Sequence, residues 1–228
     1  MKNHIIKTTT IFAMGLLLLS CSNDSDEVIE EEKQTPQQGI IIKEEITYNP
    51  NPVGEAPLYL NQLYIDLDDM KIGKTVTYGS KKWVNFDLYG GNDTPLIESS
   101  PITEKWHLVA TAYEQLLPEG VPYTVYGVLS NINESVAVSK FSDMNMSEEE
   151  FKEVYQNFTI DKAKTLKYDE RINTIGYDWK TFDMSNSFSI NQRLFYLIKT
   201  VTQKYYKLRF LGFSESEGRF LHIEITKL

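Results

Sequence analysis

The chain has 228 residues, 41% hydrophobic and 12% aromatic, with a formal net charge of −9. That composition suits a globular domain with a sizeable core, and its aromatic share leans toward β structure, because rings pack well on pleated surfaces. The acidity repels a phosphate backbone and argues against a nucleic-acid partner, and the lone Cys21 excludes an internal disulfide.

Residues 1–20 read as a signal peptide. Lys2 and Lys7 supply the positive region, and Ile11 to Leu19 form an apolar core too short to span a bilayer permanently. Leu18-Leu19-Ser20-Cys21 resembles the bacterial lipobox, in which the cysteine is acylated (a palmitate-type chain) and begins the mature protein. An exported chain has little reason to keep a single free thiol, which favours the lipoprotein reading over a chance cysteine. Residues 21–38 then form an acidic stretch with almost no core-forming side chains. Such a segment buries too little apolar surface to offset its ordering entropy, so a disordered tether is expected. It resembles the surface-export signals of Bacteroidetes lipoproteins, with a plain spacer as the alternative.

A single β domain is expected over residues 39–228. Gly39 to Ile42 starts a strand, Asn49 to Pro57 is a turn-rich break, and Leu58 to Leu67 resumes apolar character. Thr75–Tyr78 and Trp83–Tyr89 read as two strands around a Gly-Ser-Lys-Lys turn. Trp106–Tyr113 reads as another, with Trp106, Leu108, Ala110 and Ala112 on one face. Tyr123–Leu129 and Ser135–Phe141 follow as strands. One short helix is expected near 148–157. Ser147 and Glu150 have capping-box spacing, and Phe151, Val154, Tyr155 and Phe158 recur on one helical face. The chain closes with a three-stranded meander. Leu194–Thr200 is a continuous apolar run, as for an inner strand. Tyr206, Leu208 and Phe210, then Leu221, Ile223 and Ile225, alternate with polar residues.

Catalytic and metal signatures are absent from this pattern. After the leader only His107 and His222 remain, with no zinc spacing, EF-hand, nucleophile elbow or phosphate-cradling loop. His107 reads as a surface or loop-packing histidine and His222 as a solvated one.

Trp83-Val84-Asn85-Phe86, Trp106-His107-Leu108-Val109-Ala110, Ile175-Gly176-Tyr177-Asp178-Trp179-Lys180-Thr181-Phe182, Tyr196-Leu197-Ile198-Lys199-Thr200 and Tyr206-Lys207-Leu208-Arg209-Phe210 together resemble the HmuY family of heme-binding surface lipoproteins, over roughly Thr75 to Leu228. The resemblance implies a mostly β, antiparallel, hand-like fold. It would pinch heme, or a similar tetrapyrrole, between hairpins and pass it to an outer-membrane receptor, without catalysis. In that family two His or Met side chains bind the iron. The position after the W-x-x-F motif falls on Met184. The second ligand has no evident counterpart, and Met144 and Met146 are the nearest candidates. For each methionine a gap-filling packing role is the alternative. The expected site is the outer membrane, lipid-anchored and exposed at the cell surface. The runner-up is a surface lipoprotein of the same fold that binds another ligand or a partner receptor.

Overall fold

The computed structural model describes residues 38–86, 88, 104–116, 120–182, 187–215 and 218–228. Five strands form one antiparallel sheet: β1 (Ile40–Glu45), β6 (Ala137–Ser142), β9 (Leu194–Lys199), β10 (Tyr205–Glu215) and β11 (Gly218–Lys227), in the order β1-β11-β10-β9-β6. Four form a second antiparallel sheet: β2 (Asn61–Asp66), β3 (Lys71–Thr77), β4 (Leu108–Leu116) and β5 (Pro122–Ser130), in the order β3-β2-β4-β5. A small hairpin, β7 (Lys180–Phe182) with β8 (Phe188–Ile190), stands apart. The mostly β, antiparallel fold expected from the sequence is the one found. Among the described residues two α-helices are present rather than one, α1 (Glu148–Gln156) and the five-residue α2 (Ile160–Lys164).

The sheets bury their inner faces against each other. Leu63, Ile65, Leu108 and Ala110 from the smaller sheet share one cluster with Val138, Tyr196, Ile198, Leu208, Ile223 and Ile225 from the larger. Alternation in the final meander therefore predicts the inner face correctly. The outer face of the larger sheet is covered too. Phe151, Tyr155 and Phe158 of the α1 region pack on Phe195, Leu197 and Tyr205. Phe195 meets Phe141, Phe151, Tyr155 and Phe158 with ring centroids 4.8–5.5 Å apart. This double burial explains why β9 is apolar throughout: Tyr196 and Ile198 face the other sheet, while Phe195 and Leu197 face the helix.

The capping box of α1 forms as expected. Ser147 Oγ accepts from the Glu150 N–H at 3.2 Å, and Glu150 Oε2 accepts from the Ser147 N–H at 2.8 Å. The last turn of α1 has no basic residue of its own. Lys207 of β10 supplies one, its Nζ donating to the carbonyls of Tyr155 (2.6 Å) and Gln156 (3.0 Å). Lys207 is thus buried on the face that alternation assigns to solvent.

Three local expectations change. Trp83–Phe86 is not a strand. The side chain of Gln62 takes the place of a ladder partner: Nε2 donates to the Val84 carbonyl (2.7 Å) and Oε1 accepts from the Val84 N–H (3.2 Å). Trp106 does not share a face with Leu108 and Ala110. It packs edge-on against Tyr64, centroids 5.1 Å apart, in a cluster on the opposite side of the sheet, because β4 begins only at Leu108 and alternation does not reach back to it. His107 is buried. Its Nδ1 accepts from the Leu67 N–H at 3.1 Å, so it packs the β2–β3 turn, the loop-packing one of its two expected roles. His222 is half-buried beside the Gly212 bulge of β10.

Candidate ligand site

The segment Asn173–Trp179 crosses the free edge of the four-stranded sheet. Val128 and Gly176 exchange two backbone hydrogen bonds, at 2.9 and 3.0 Å. The approach is so close that a Cβ on Gly127 would lie 2.3 Å from the Gly176 carbonyl oxygen. Gly176 itself has φ +61°, a left-handed turn that glycine adopts without penalty. The turn aims Trp179 inward. Its Nε1 donates to the Gly176 carbonyl at 3.0 Å, and its ring stacks on Phe210 at 3.7 Å, 3° from parallel.

The β7–β8 hairpin follows directly. Phe182 pairs with Phe188 across it, centroids 4.9 Å apart, and Phe188 packs edge-on against Phe213 of β10 at 4.9 Å. Phe213 in turn touches Trp179 (5.5 Å) and Tyr126 (5.7 Å), and Tyr126 touches Tyr59 (4.8 Å). Tyr48 completes the row at 5.4 Å from Tyr59. Three hairpins, β4–β5, β7–β8 and β10–β11, therefore converge on one frame of rings. It is partly open, with Phe182 59% and Tyr48 38% exposed.

Two cations sit inside this frame. Lys180 Nζ lies 4.1 Å over the Trp179 ring and 4.7 Å over Phe213, and donates to the Tyr126 carbonyl. The Arg219 guanidinium lies 3.7 Å over Tyr48 and 5.3 Å over Phe188, and its Nη1 donates to Tyr59 Oη. Among the described residues neither cation has a carboxylate within ion-pair distance. Asp178, the acid nearest Lys180 in sequence, pairs with Lys140. Burial, reinforced by Arg219, lowers the Lys180 pKa to about 7. The Tyr126 hydroxyl is buried in the same cluster with no hydrogen-bond partner among the described residues.

The sequence-derived candidates are placed unevenly. Cys21 and Met184 lie outside the described residues. Met144 is exposed on the β6–α1 connection, and Met146 packs into the α1 cluster rather than the one containing Trp179. Arg193 Nη1 donates to both their carbonyls at 3.1 Å. Lys180 and Arg219 were not singled out by sequence reasoning. The signal available was a lysine between Trp179 and Phe182, within the motif, and an arginine opening the last strand beside Phe220.

Two other features fit a tetrapyrrole less well. A cleft of about 450 Å³ runs between β4, β6 and residues 167–178, lined by Lys140–Asp178 and Arg171–Asp169 ion pairs. Its walls are too polar for a macrocycle. Asp66, Asp68 and His107 place potential ligand atoms within 4.8 Å of one another. However, Asp68 already binds Lys105 and Lys204, each at 2.6 Å, and accepts from Tyr206 Oη at 3.1 Å. Ammonium groups thus hold the place a metal ion would take.

The fold is two packed antiparallel sheets with a ring-lined frame held by hairpins. The chain matches the HmuY protein family over residues 58–226 and belongs to it. It is similar to a candidate HmuY-like heme-binding protein from Bacteroides vulgatus, with 14% identity and a TM-score of 0.36, covering 72% of this chain and 84% of that one. It is also similar to apo PinO from Porphyromonas gingivitis, with 11% identity and a TM-score of 0.34, covering 83% of this chain and 97% of that one. Both are distant likenesses, and membership rests on the family match. No curated protein matches the chain.

Proposed function

We propose that this protein is a lipid-anchored, cell-surface tetrapyrrole-binding protein that takes up heme against the aromatic frame and hands it to an outer-membrane receptor. The observation that carries the reading is the convergence of three hairpins on one continuous set of rings, in which Trp179, Phe213, Tyr126 and Tyr59 are buried and Phe188, Phe182 and Tyr48 form the open edge. Flat aromatic faces suit a flat macrocycle. Family membership supports the same class of ligand, and members of such a family bind rather than catalyse. Met184 is the thioether proposed for the iron, from its offset after the Trp179–Phe182 motif. Acylation of Cys21 would hold the protein at the outer membrane, with residues 22–38 as the tether.

Adding hemin to the purified protein tests this. Heme binding should produce a Soret shift that is stronger under reductant, because a neutral, soft thioether favours ferrous iron. Met184→Ala should lose the low-spin spectrum, whereas His107→Ala and His222→Ala should keep it. A histidine variant that loses binding while Met184→Ala keeps it would overturn the ligand assignment. No Soret shift in either redox state would favour the second reading, a partner receptor docking on the exposed rings of Phe182, Tyr48 and Tyr123.

A further inference from the structure

We propose that the polar cleft between β4, β6 and residues 167–178 is a second ligand site, and that it takes an uncharged sugar of one or two rings. Its walls share no residue with the ring frame, so the inference stands apart from the tetrapyrrole reading.

The cleft holds about 450 Å³, the size of a small-ligand site. Its charges are answered in place. Lys140 pairs with Asp178, Arg171 pairs with Asp169 at 2.6 Å, and Lys167 stands in water. A charged ligand would have to displace one member of a pair. What is left over is neutral. The Tyr113 ring crosses Gly127, where a Cβ would lie 3.1 Å from its Cε1, and its hydroxyl reaches to 3.6 Å from the Cβ position of Gly176 in the cleft wall. Tyr113 is only 2% exposed, and its hydroxyl has no hydrogen-bond partner among the described residues. A buried hydroxyl left in that state costs about 1–3 kcal/mol. The side-chain amides of Gln115 and Asn173, both half-buried in the same walls, also make no hydrogen bond among the described residues. Thr174 Oγ1 donates to the Arg171 carbonyl at 2.9 Å and keeps its lone pairs free to accept.

Sugar hydroxyls answer this set. Each both donates and accepts, as the phenol and the two amides of the cleft require. Tyr177, half-buried in the same wall, adds an aromatic surface for the C–H face of a sugar ring. A macrocycle finds too little apolar wall here. An extended peptide would need a free strand edge to pair with. At the cleft that edge of β6 is taken, because Val138 and Asp169 exchange two backbone hydrogen bonds, at 2.9 and 2.8 Å. A compact neutral ligand with many hydroxyls suits both the volume and the lining.

Saturation-transfer difference NMR on the full-length protein, in a detergent without a sugar headgroup, tests the inference. The probes are glucose, galactose, mannose, N-acetylglucosamine, maltose, cellobiose and glucuronate at millimolar concentration. At least one neutral sugar is expected to receive saturation. Gln115→Ala with Asn173→Ala should lower its affinity at least fivefold. Tyr113→Phe, which deletes only the hydroxyl, should lower it at least threefold without lowering the melting temperature, a result that a purely structural tyrosine would not give. Phe182→Ala, at the edge of the ring frame, should leave it unchanged. Thermal melts check that each variant is folded, and the wild-type protein gives an answer independent of them. No transfer to any neutral sugar, or transfer to glucuronate alone, overturns the inference. So does a sugar signal that survives the Gln115 and Asn173 substitutions but is lost in Phe182→Ala, since the sugar would then sit on the rings. Each of these outcomes leaves the hemin titration to be judged by itself.

Discussion

Gly127→Ala tests whether the close crossing of β5 by the 173–179 segment holds the site together. The new methyl carbon would stand 2.3 Å from the Gly176 oxygen and 2.7 Å from its carbonyl carbon. Both are backbone atoms, so no rotamer change relieves the clash and the segment must lift away. Three hydrogen bonds depend on its position: the Val128–Gly176 pair, and the indole N–H of Trp179 donating to the Gly176 carbonyl. At about 1 kcal/mol each they amount to roughly 3 kcal/mol. Alanine regains about 0.5–1 kcal/mol over glycine in a strand, leaving a net loss of about 2–2.5 kcal/mol. For a domain of this size that corresponds to a fall in Tm of about 4–10 °C. Gly73→Ala is the matched control, a strand glycine whose Cβ would meet its nearest atoms at an ordinary 3.7 Å. Differential scanning calorimetry of the two variants decides the matter. A Gly127→Ala protein melting within 2 °C of wild type, or a Gly73→Ala protein losing as much, would refute the reasoning. Because the same segment aims Trp179 at the ring frame, Gly127→Ala should also weaken porphyrin binding, which Gly73→Ala should not.

Stability should rise between about pH 7 and pH 9.5. Burial lowers the Lys180 pKa to about 7 and that of Lys207 to about 8. The unfolded chain therefore binds more protons than the folded one through this window, and unfolding becomes harder as pH increases. Above about pH 10 the sign reverses, because burial holds Tyr64, Tyr113, Tyr155 and Tyr196 above the ordinary phenol range and the unfolded chain ionises first. Urea melts at several pH values should show this maximum, and Lys207→Met should flatten its alkaline rise; a profile falling steadily from pH 7 would contradict the assignment. At the acid end, the hydrogen bonds from Lys105 and Lys204 hold Asp68 below the usual carboxylate range. Its contribution is present at neutral pH and fades as pH falls below about 4. Asp68→Asn should cost about 1 kcal/mol at pH 7, given its partly exposed partners, and clearly less at pH 2, where the unfolded chain is protonated and the folded group is only beginning to be. An equal loss at both pH values would show that the ion pairs are not the cause.

How far the sequence reveals this molecule depends on how local each determinant is. The capping box of Ser147 and Glu150 is four residues long, and it forms as read. The alternation of Leu208, Ile223 and Ile225 is set by the pleat, and it points to the core as read. What alternation cannot tell is whether the opposite face meets water or another element. Lys207 looks solvated in the pattern and is covered by α1, which arrives from fifty residues upstream. His107 stays open between a surface and a loop-packing role for the same reason, since its partner is a turn forty residues away. The site is less legible still. The Trp179–Phe182 motif was visible, but the rings around Lys180 and Arg219 come from the β1–β2 connection, the 173–179 segment, β8 and β10, with a carbonyl from β5. These polar residues then sort by what they find on folding. Lys207 and His107 meet partners within the protein and serve its scaffold. Lys180 and Arg219 meet rings, a carbonyl and a phenol, but no acid among the described residues. A fold agrees with its sequence at most positions and departs from it where function is placed. Lys180 and Arg219 differ from Lys207 and His107 in that ring faces stand where a pairing group would among the described residues.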